Sequence, residues 1–324
     1  MKTIKILSLL FITLFSFVYA DIDADLKETF DVKSGGTLYI DSDFGSIEVT
    51  AKAQNKVQVE VFRTVDASSK KAAERILQNL EITMDKKGND VYVTAEYDRG
   101  TFKWNNNRIK MRFVVSVPNV YNVDLKTAGG TIAVSDLEGR VDSKTSGGSL
   151  KFGRIKGPVN GHTSGGSIKL EGCVGDANVK SSGGSIKIGE VDGNVEARTS
   201  GGSVNIEKAK GTVIATTSGG SINVEEVMGT IEAKTSGGSV NARISAQPKS
   251  DCRLSTSGGS VNVHMAENIK VDLDAKTSGG RVSTDFPVTV QGDLKKNQLQ
   301  AEINGGGPLL YLRTSGGNIY LKNL

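Results

Sequence analysis

The sequence predicts an all-β fold: a single-stranded parallel β-solenoid, a right-handed β-helix of 18-residue coils, closed by an N-terminal β-rich cap with one helix. Three observations predict it. First, near-copies of Thr-Ser-Gly-Gly-Ser-Ile/Val begin at Thr127, Thr145, Thr163, Ser181, Thr199, Thr217 and Thr235, each 18 residues after the last. Further copies begin at Thr256, Thr277 and Thr314. A short fixed period marks stacked repeats. Second, each repeat holds two runs of period-two alternation, such as Ser185-Ile186-Lys187-Ile188 and Asn194-Val195-Glu196-Ala197-Arg198. Such runs read as short strands with one buried face. Third, glycines introduce both runs, at bends that need positive φ or close backbone approach.

Stacking the repeats aligns their apolar residues in columns. The first strand contributes Ile132, Leu150, Ile168, Ile186, Val204, Ile222, Val240 and Val261, backed by Val134, Phe152, Leu170, Ile188, Ile206 and Val224. The second contributes Val141, Val159, Ala177, Val195, Val213 and Ile231, followed by small residues such as Ala197, Ala215 and Ala233. Leu137, Ile155, Cys173, Val191, Ala209 and Val227 fill the intervening arc. A single coil buries too little to fold alone and depends on both neighbours. The right hand follows from the strong preference of parallel crossovers. Whether the cross-section has two or three faces is open at this stage.

The flanks differ from the repeats. Residues 1–20 carry Lys2 and Lys5, an apolar stretch from Ile6 to Val18, and Val18-Tyr19-Ala20, the pattern of a cleaved signal peptide. The expected mature chain is exported, periplasmic or at the cell surface or exterior, without a transmembrane anchor. Residues 21–126 form the expected N-terminal capping region. Thr37 to Ile40, Ser46 to Thr50, Lys56 to Arg63, Asp90 to Glu96 and Arg108 to Val117 alternate like strands. Asp66 to Leu80 reads as a helix with Ala72, Ala73, Ile76, Leu77 and Leu80 on one face, capped by Asp66 or Ser68. Residues 127–284 are the regular coils, and 285–324 are altered coils and a C-terminal cap, which would protect an otherwise open strand edge.

Catalytic signals are poor. His162 and His264 are the only histidines, so neither a zinc site nor a Ser-His-Asp set has its parts. No phosphate loop, cofactor motif or metal motif is present. Asp142, Glu196 and Glu232 share an outward column but on separated coils, beside Lys144, Arg198 and Lys234, which reads as a solvated ion-pair ladder. A polysaccharide-modifying β-helix enzyme would need two carboxyls about 5–9.5 Å apart in a groove. Removing the leader leaves 38 basic against 36 acidic residues, no electrostatic case for nucleic acid. Cys173 and Cys252 lie about four coils apart, so they are expected to be free, buried thiols.

The outward column of the first strand reads Lys151, Lys169 and Lys187, then Asn205, Asn223, Asn241 and Asn262. Its serine flank includes Ser203, Ser221, Ser239 and Ser260. These eight Ser and Asn residues are the candidate binding face, a hydroxyl- and amide-rich strip suited to a glycan or cell-surface polymer. Asparagines stacked on parallel strands also form amide ladders with no ligand. A second aromatic candidate is the expected hairpin tip from Tyr97 to Arg108, which carries Trp104.

Val117-Pro118-Asn119-Val120-Tyr121-Asn122-Val123, leading to Lys126-Thr127-Ala128-Gly129-Gly130, precedes the serial Gly-Gly units. Asp285-Phe286-Pro287-Val288 and Ile303-Asn304-Gly305-Gly306-Gly307 follow them. In this combination the chain resembles a bacterial family of unknown function whose members are named as candidate adhesins. The resemblance implies an exported β-helix domain with no assigned chemistry and supplies no binding residues. The expected function is therefore an adhesin-like, non-catalytic binding or structural protein of the cell envelope. The alternatives are the polysaccharide-modifying enzyme, or an envelope scaffold or signalling accessory that binds a protein partner.

Overall fold

The computed structural model describes residues 20–23, 26–98, 109–290 and 295–324. Its strands form two sheets, of 16 and 15 strands, that enclose one continuous apolar core. The chain passes from one sheet to the other and back, which makes the arrangement solenoid-like. In the first sheet Leu150 pairs with Ile168, and Ile168 with Ile186, in parallel register. In the second, Val141 pairs with Val159, and Val159 with Ala177. Identical positions of successive repeats therefore lie side by side, and the apolar columns of the sequence are buried.

The arc residues do not form a third face. Ile155, Cys173, Val191 and Ala209 continue the first-sheet strands and pair in series. Size is matched across the core. Gly161 lies under Phe152, and a Cβ there would stand 3.1 Å from both Leu150 Cδ1 and Phe152 Cε2. Cys173 and Cys252 are free and buried.

The repeated corner has a second chemical reason besides glycine. Each buried Thr hydroxyl bridges neighbouring coils: Thr163 Oγ1 donates to the Gly148 carbonyl at 2.7 Å and accepts from the Gly166 N–H at 3.2 Å. Ser181 makes the same pair of bonds to Gly166 and Gly184, at 2.8 and 3.0 Å. The second glycine of each pair is required by close approach. A Cβ at Gly238 would lie 2.5 Å from the Gly220 carbonyl oxygen of the coil beside it.

Both ends depart from sequential order. Thr37–Ser42 and Ser46–Lys52 lie between Asn122–Thr127 and Ile132–Val134 on one side and Asp90–Tyr97 and Ile109–Pro118 on the other. At the opposite end, Leu309–Thr314 and Ile319–Asn323 are inserted between Cys252–Thr256 and Val261–Met265 and the pair Val271–Thr277 and Val282–Thr284. Beyond these coils the pairing turns antiparallel. Lys56–Ala67 covers Ile109–Pro118, and Leu80–Lys87 covers Asp90–Tyr97. Gln298–Ile303 covers Val271–Thr277.

The helix spans Lys70–Gln78 and is capped by Ser69, whose side chain accepts from the Ala72 N–H. The expected cap, Asp66 or Ser68, is corrected because strand Lys56–Ala67 continues through Asp66 to pair with Ala20–Asp23. Ala73 packs with Val65 and Ala67, and Ala72, Ile76 and Leu77 are partly buried beside them. The Gly-rich segment after Ile303 turns through three left-handed residues, Asn304, Gly305 and Gly306, with φ of 55°, 89° and 77°. Asn304 holds that turn by donating to the carbonyls of Glu267 and Ile269 at 2.7 and 2.8 Å. Tyr121 is buried, and its hydroxyl donates to the Asn89 carbonyl.

Candidate binding face

The parallel register brings Asn205, Asn223, Asn241 and Asn262 onto four adjacent strands of the first sheet. All four are half-buried. Their amides form one directional chain. Asn223 Nδ2 donates to Asn205 Oδ1 at 2.8 Å. Asn241 donates to Asn223 at 2.6 Å, and Asn262 to Asn241 at 2.6 Å. Asn262 lies beside Tyr320 in the next strand. A groove of about 430 Å³ runs over this end, lined among others by Asn223, Asn241, Asn262, His264 and Tyr320.

The serines Ser203, Ser221, Ser239 and Ser260 occupy the same edge of the face. Each hydroxyl oxygen of the first three accepts the backbone N–H of the next serine at 3.2 Å. Ser260 accepts the N–H of Asn318 at 3.1 Å. The eight candidate residues are thus brought together, and their first bonds are to one another or to backbone. What they offer outward is the remaining acceptor and donor capacity of a stiff, repetitive lattice.

The charged part of the face is also cross-linked. Lys169 reaches Glu171 at 2.6 Å and Lys187 reaches Glu207 at 3.3 Å. The hydrogen bond and charge of Lys169 hold the Glu171 carboxyl below the usual carboxylate range. Lys208 bonds Glu226 at 2.9 Å, raising the lysine and, with Ser245, lowering the glutamate.

On the second sheet, Asp142 and Glu196 stand in one outward row with Asn160 and Asn178 between them. The sequence reading left out Asp124, which pairs beside Asp142; the signal that places it is the 18-residue period itself. The two carboxylates are already engaged: Lys126 stands 3.4 Å from Asp124 and Arg140 2.7 Å from Asp142. Lys180 and Arg198 both bond Glu196, at 3.0 and 2.9 Å.

His162 lies on the second sheet and His264 on the first. Among the described residues no group of three or more His, Cys, Asp or Glu side chains is placed to hold a metal. Also among them, no helix is long and apolar enough to cross a membrane. Trp104 and most of the expected hairpin tip, like residues 1–19, lie outside the described residues.

A family model described as Toastrack DUF4097 matches residues 36–322. No curated protein matches the chain. Among solved structures, a cell-adhesion candidate from Clostridium sporogenes is 13% identical, with 93% of this chain and 100% of that chain covered, at a TM-score of 0.24. An adhesin candidate from Bacteroides fragilis is 12% identical over 93% of this chain and 97% of its own, at 0.32. An adhesin candidate from Parabacteroides distasonis is 13% identical over 93% and 97%, at 0.41.

Proposed function

The chain belongs to the Toastrack DUF4097 family, and from that premise we propose that it is a non-catalytic, adhesin-like binding protein of the cell envelope. Its scaffold is a right-handed solenoid of 18-residue coils, the hand that parallel crossovers prefer. Residues 1–20 are a leader removed on export, and residues 21–126 close one end of the regular coils at 127–284. Residues 285–324 close the other. The mature protein acts in the periplasm or at the cell surface, without a transmembrane anchor. Its partner is a glycan or another cell-surface polymer.

One observation carries this reading: four asparagines and four serines form two side-by-side hydrogen-bonded ladders on one face. A lattice with one rung per coil meets a repetitive ligand through many weak, equivalent contacts. Those contacts gain through effective concentration rather than through any single strong bond.

The test is retention of the purified full chain on envelope polysaccharide fractions. Replacing Asn205, Asn223, Asn241 and Asn262 together by serine is expected to weaken retention while circular dichroism still reports the β fold. Undiminished retention removes this face from the proposal. Release of sugar fragments during the assay would instead establish the polysaccharide-modifying alternative. Cross-linking in intact envelopes to a protein alone would favour the scaffold or signalling accessory.

A further inference from the structure

We propose that the outer face of the second sheet is a separate binding strip for an acidic polysaccharide. The strip stands on geometry independent of the asparagine lattice. Lys126, Lys144, His162 and Lys180 lie on four adjacent parallel strands in direct register. Two residues earlier on the same strands, also facing outward, lie Asp124, Asp142, Asn160 and Asn178. Both rows line a shallow groove of about 330 Å³.

The partners within the strip are uneven. Lys126 and Lys180 are spoken for by Asp124 and Glu196. Asp142 is held by Arg140 at 2.7 Å and accepts from Asn160 Nδ2 at 2.8 Å. Lys144 and His162, exposed and directly adjacent, have no ion-pair or hydrogen-bond partner among the described residues, and neither has Asn178. An uncommitted lysine, an uncommitted imidazole and a free amide thus face one groove, flanked by pairs that hold the surface in shape.

That pattern fits a carboxylated sugar chain. Parallel strands repeat every ~4.8 Å, close to the length of one pyranose unit, so successive rungs meet successive sugars. Lys144 and a ring N–H of His162 meet carboxylates, while Asn178 and the oxygens of Asp124 and Asp142 meet ring hydroxyls. A nucleic acid fits less well. The strip has no aromatic side chain on which bases could stack.

Affinity electrophoresis of the full chain in polygalacturonate tests the proposal. The wild-type protein is expected to be retarded, and uncharged dextran is expected to leave it unretarded. An exposed contact to a carboxylate contributes up to about fivefold in affinity, so the double variant Lys144→Gln, His162→Gln should bind up to about 25-fold more weakly. Lys144→Arg should retain binding, which separates loss of charge from loss of fold. Lys70→Gln, in the helix and outside both faces, should leave polygalacturonate binding unchanged, which separates this strip from a general loss of positive charge. No retardation of the wild type, equal retardation by dextran, unchanged binding by the double variant, or tighter binding to single-stranded DNA would each overturn it.

Discussion

Replacing Thr163 by valine tests what holds the coils together at their corners. Valine preserves the shape and the β-branch, so packing changes little. The hydroxyl, however, is fully buried and serves two backbone groups, the Gly148 carbonyl at 2.7 Å and the Gly166 N–H at 3.2 Å. Orphaning a buried backbone group costs about 1–3 kcal/mol, and half-buried glycines recover part of that from water, so about 2–3 kcal/mol is expected for the pair. Thr163→Ser keeps both bonds and loses one methyl group, about 1 kcal/mol. The chain contains its own control, since Ser181 already makes the equivalent bonds at 2.8 and 3.0 Å. Urea unfolding followed by far-ultraviolet circular dichroism ranks the variants, and native-state hydrogen exchange should show lost protection at Gly166. If valine proves as stable as serine, the threonine column owes its recurrence to packing and the hydrogen-bond argument is wrong.

Three further outcomes follow from the same geometry. In the amide chain Asn205 only accepts, so Asn205→Asp should be nearly neutral in urea unfolding, whereas Asn223→Asp sets two oxygens together and should cost about 1–2 kcal/mol; equal costs would remove the assigned direction. The hydrogen bond from Lys180, with Arg198 beside it, holds the Glu196 carboxyl below the usual carboxylate range. A lowered folded value stabilises above the ordinary carboxylate range and is lost as pH falls through the folded value. Glu196→Gln should therefore cost about 0.5 kcal/mol at neutral pH and progressively less as the pH falls through the folded value, as thermal melts across the acid range will show. Burial pushes the Cys173 thiol up to about 11 and raises Cys252, so a thiolate-selective reagent at pH 8 should label neither quickly in the native protein and both in urea.

Much of the solenoid-like core was legible because repetition supplies its own alignment. Once Ile168 is matched to Ile186, every inward position follows, and burial bears out the columns from Ile132 to Val261. The asparagine row was legible for the same reason. The dual role of Thr163 and its equivalents was not, since a hydroxyl that bonds across coils leaves the same spelling as one that caps a turn. Strands Leu26–Asp31 and Leu80–Lys87 escaped notice because their exposed edge positions carry charges that blur the alternation. Asp124 stands one 18-residue period before Asp142, so its place beside that residue was available from the same repetition. The order of the end coils was hidden more deeply, because chain neighbours are usually spatial neighbours and nothing local marks the exception.

That exception changes how the molecule must be completed. Residues 309–323 act as a keystone: they fill a slot whose two walls, residues 252–265 and 271–284, are both made earlier in the chain. A zipper advancing repeat by repeat would seal the walls against each other and leave the keystone outside. The walls must therefore stay apart, or part again, until the closing segment arrives, so this end of the molecule sets in a single late step rather than by gradual growth.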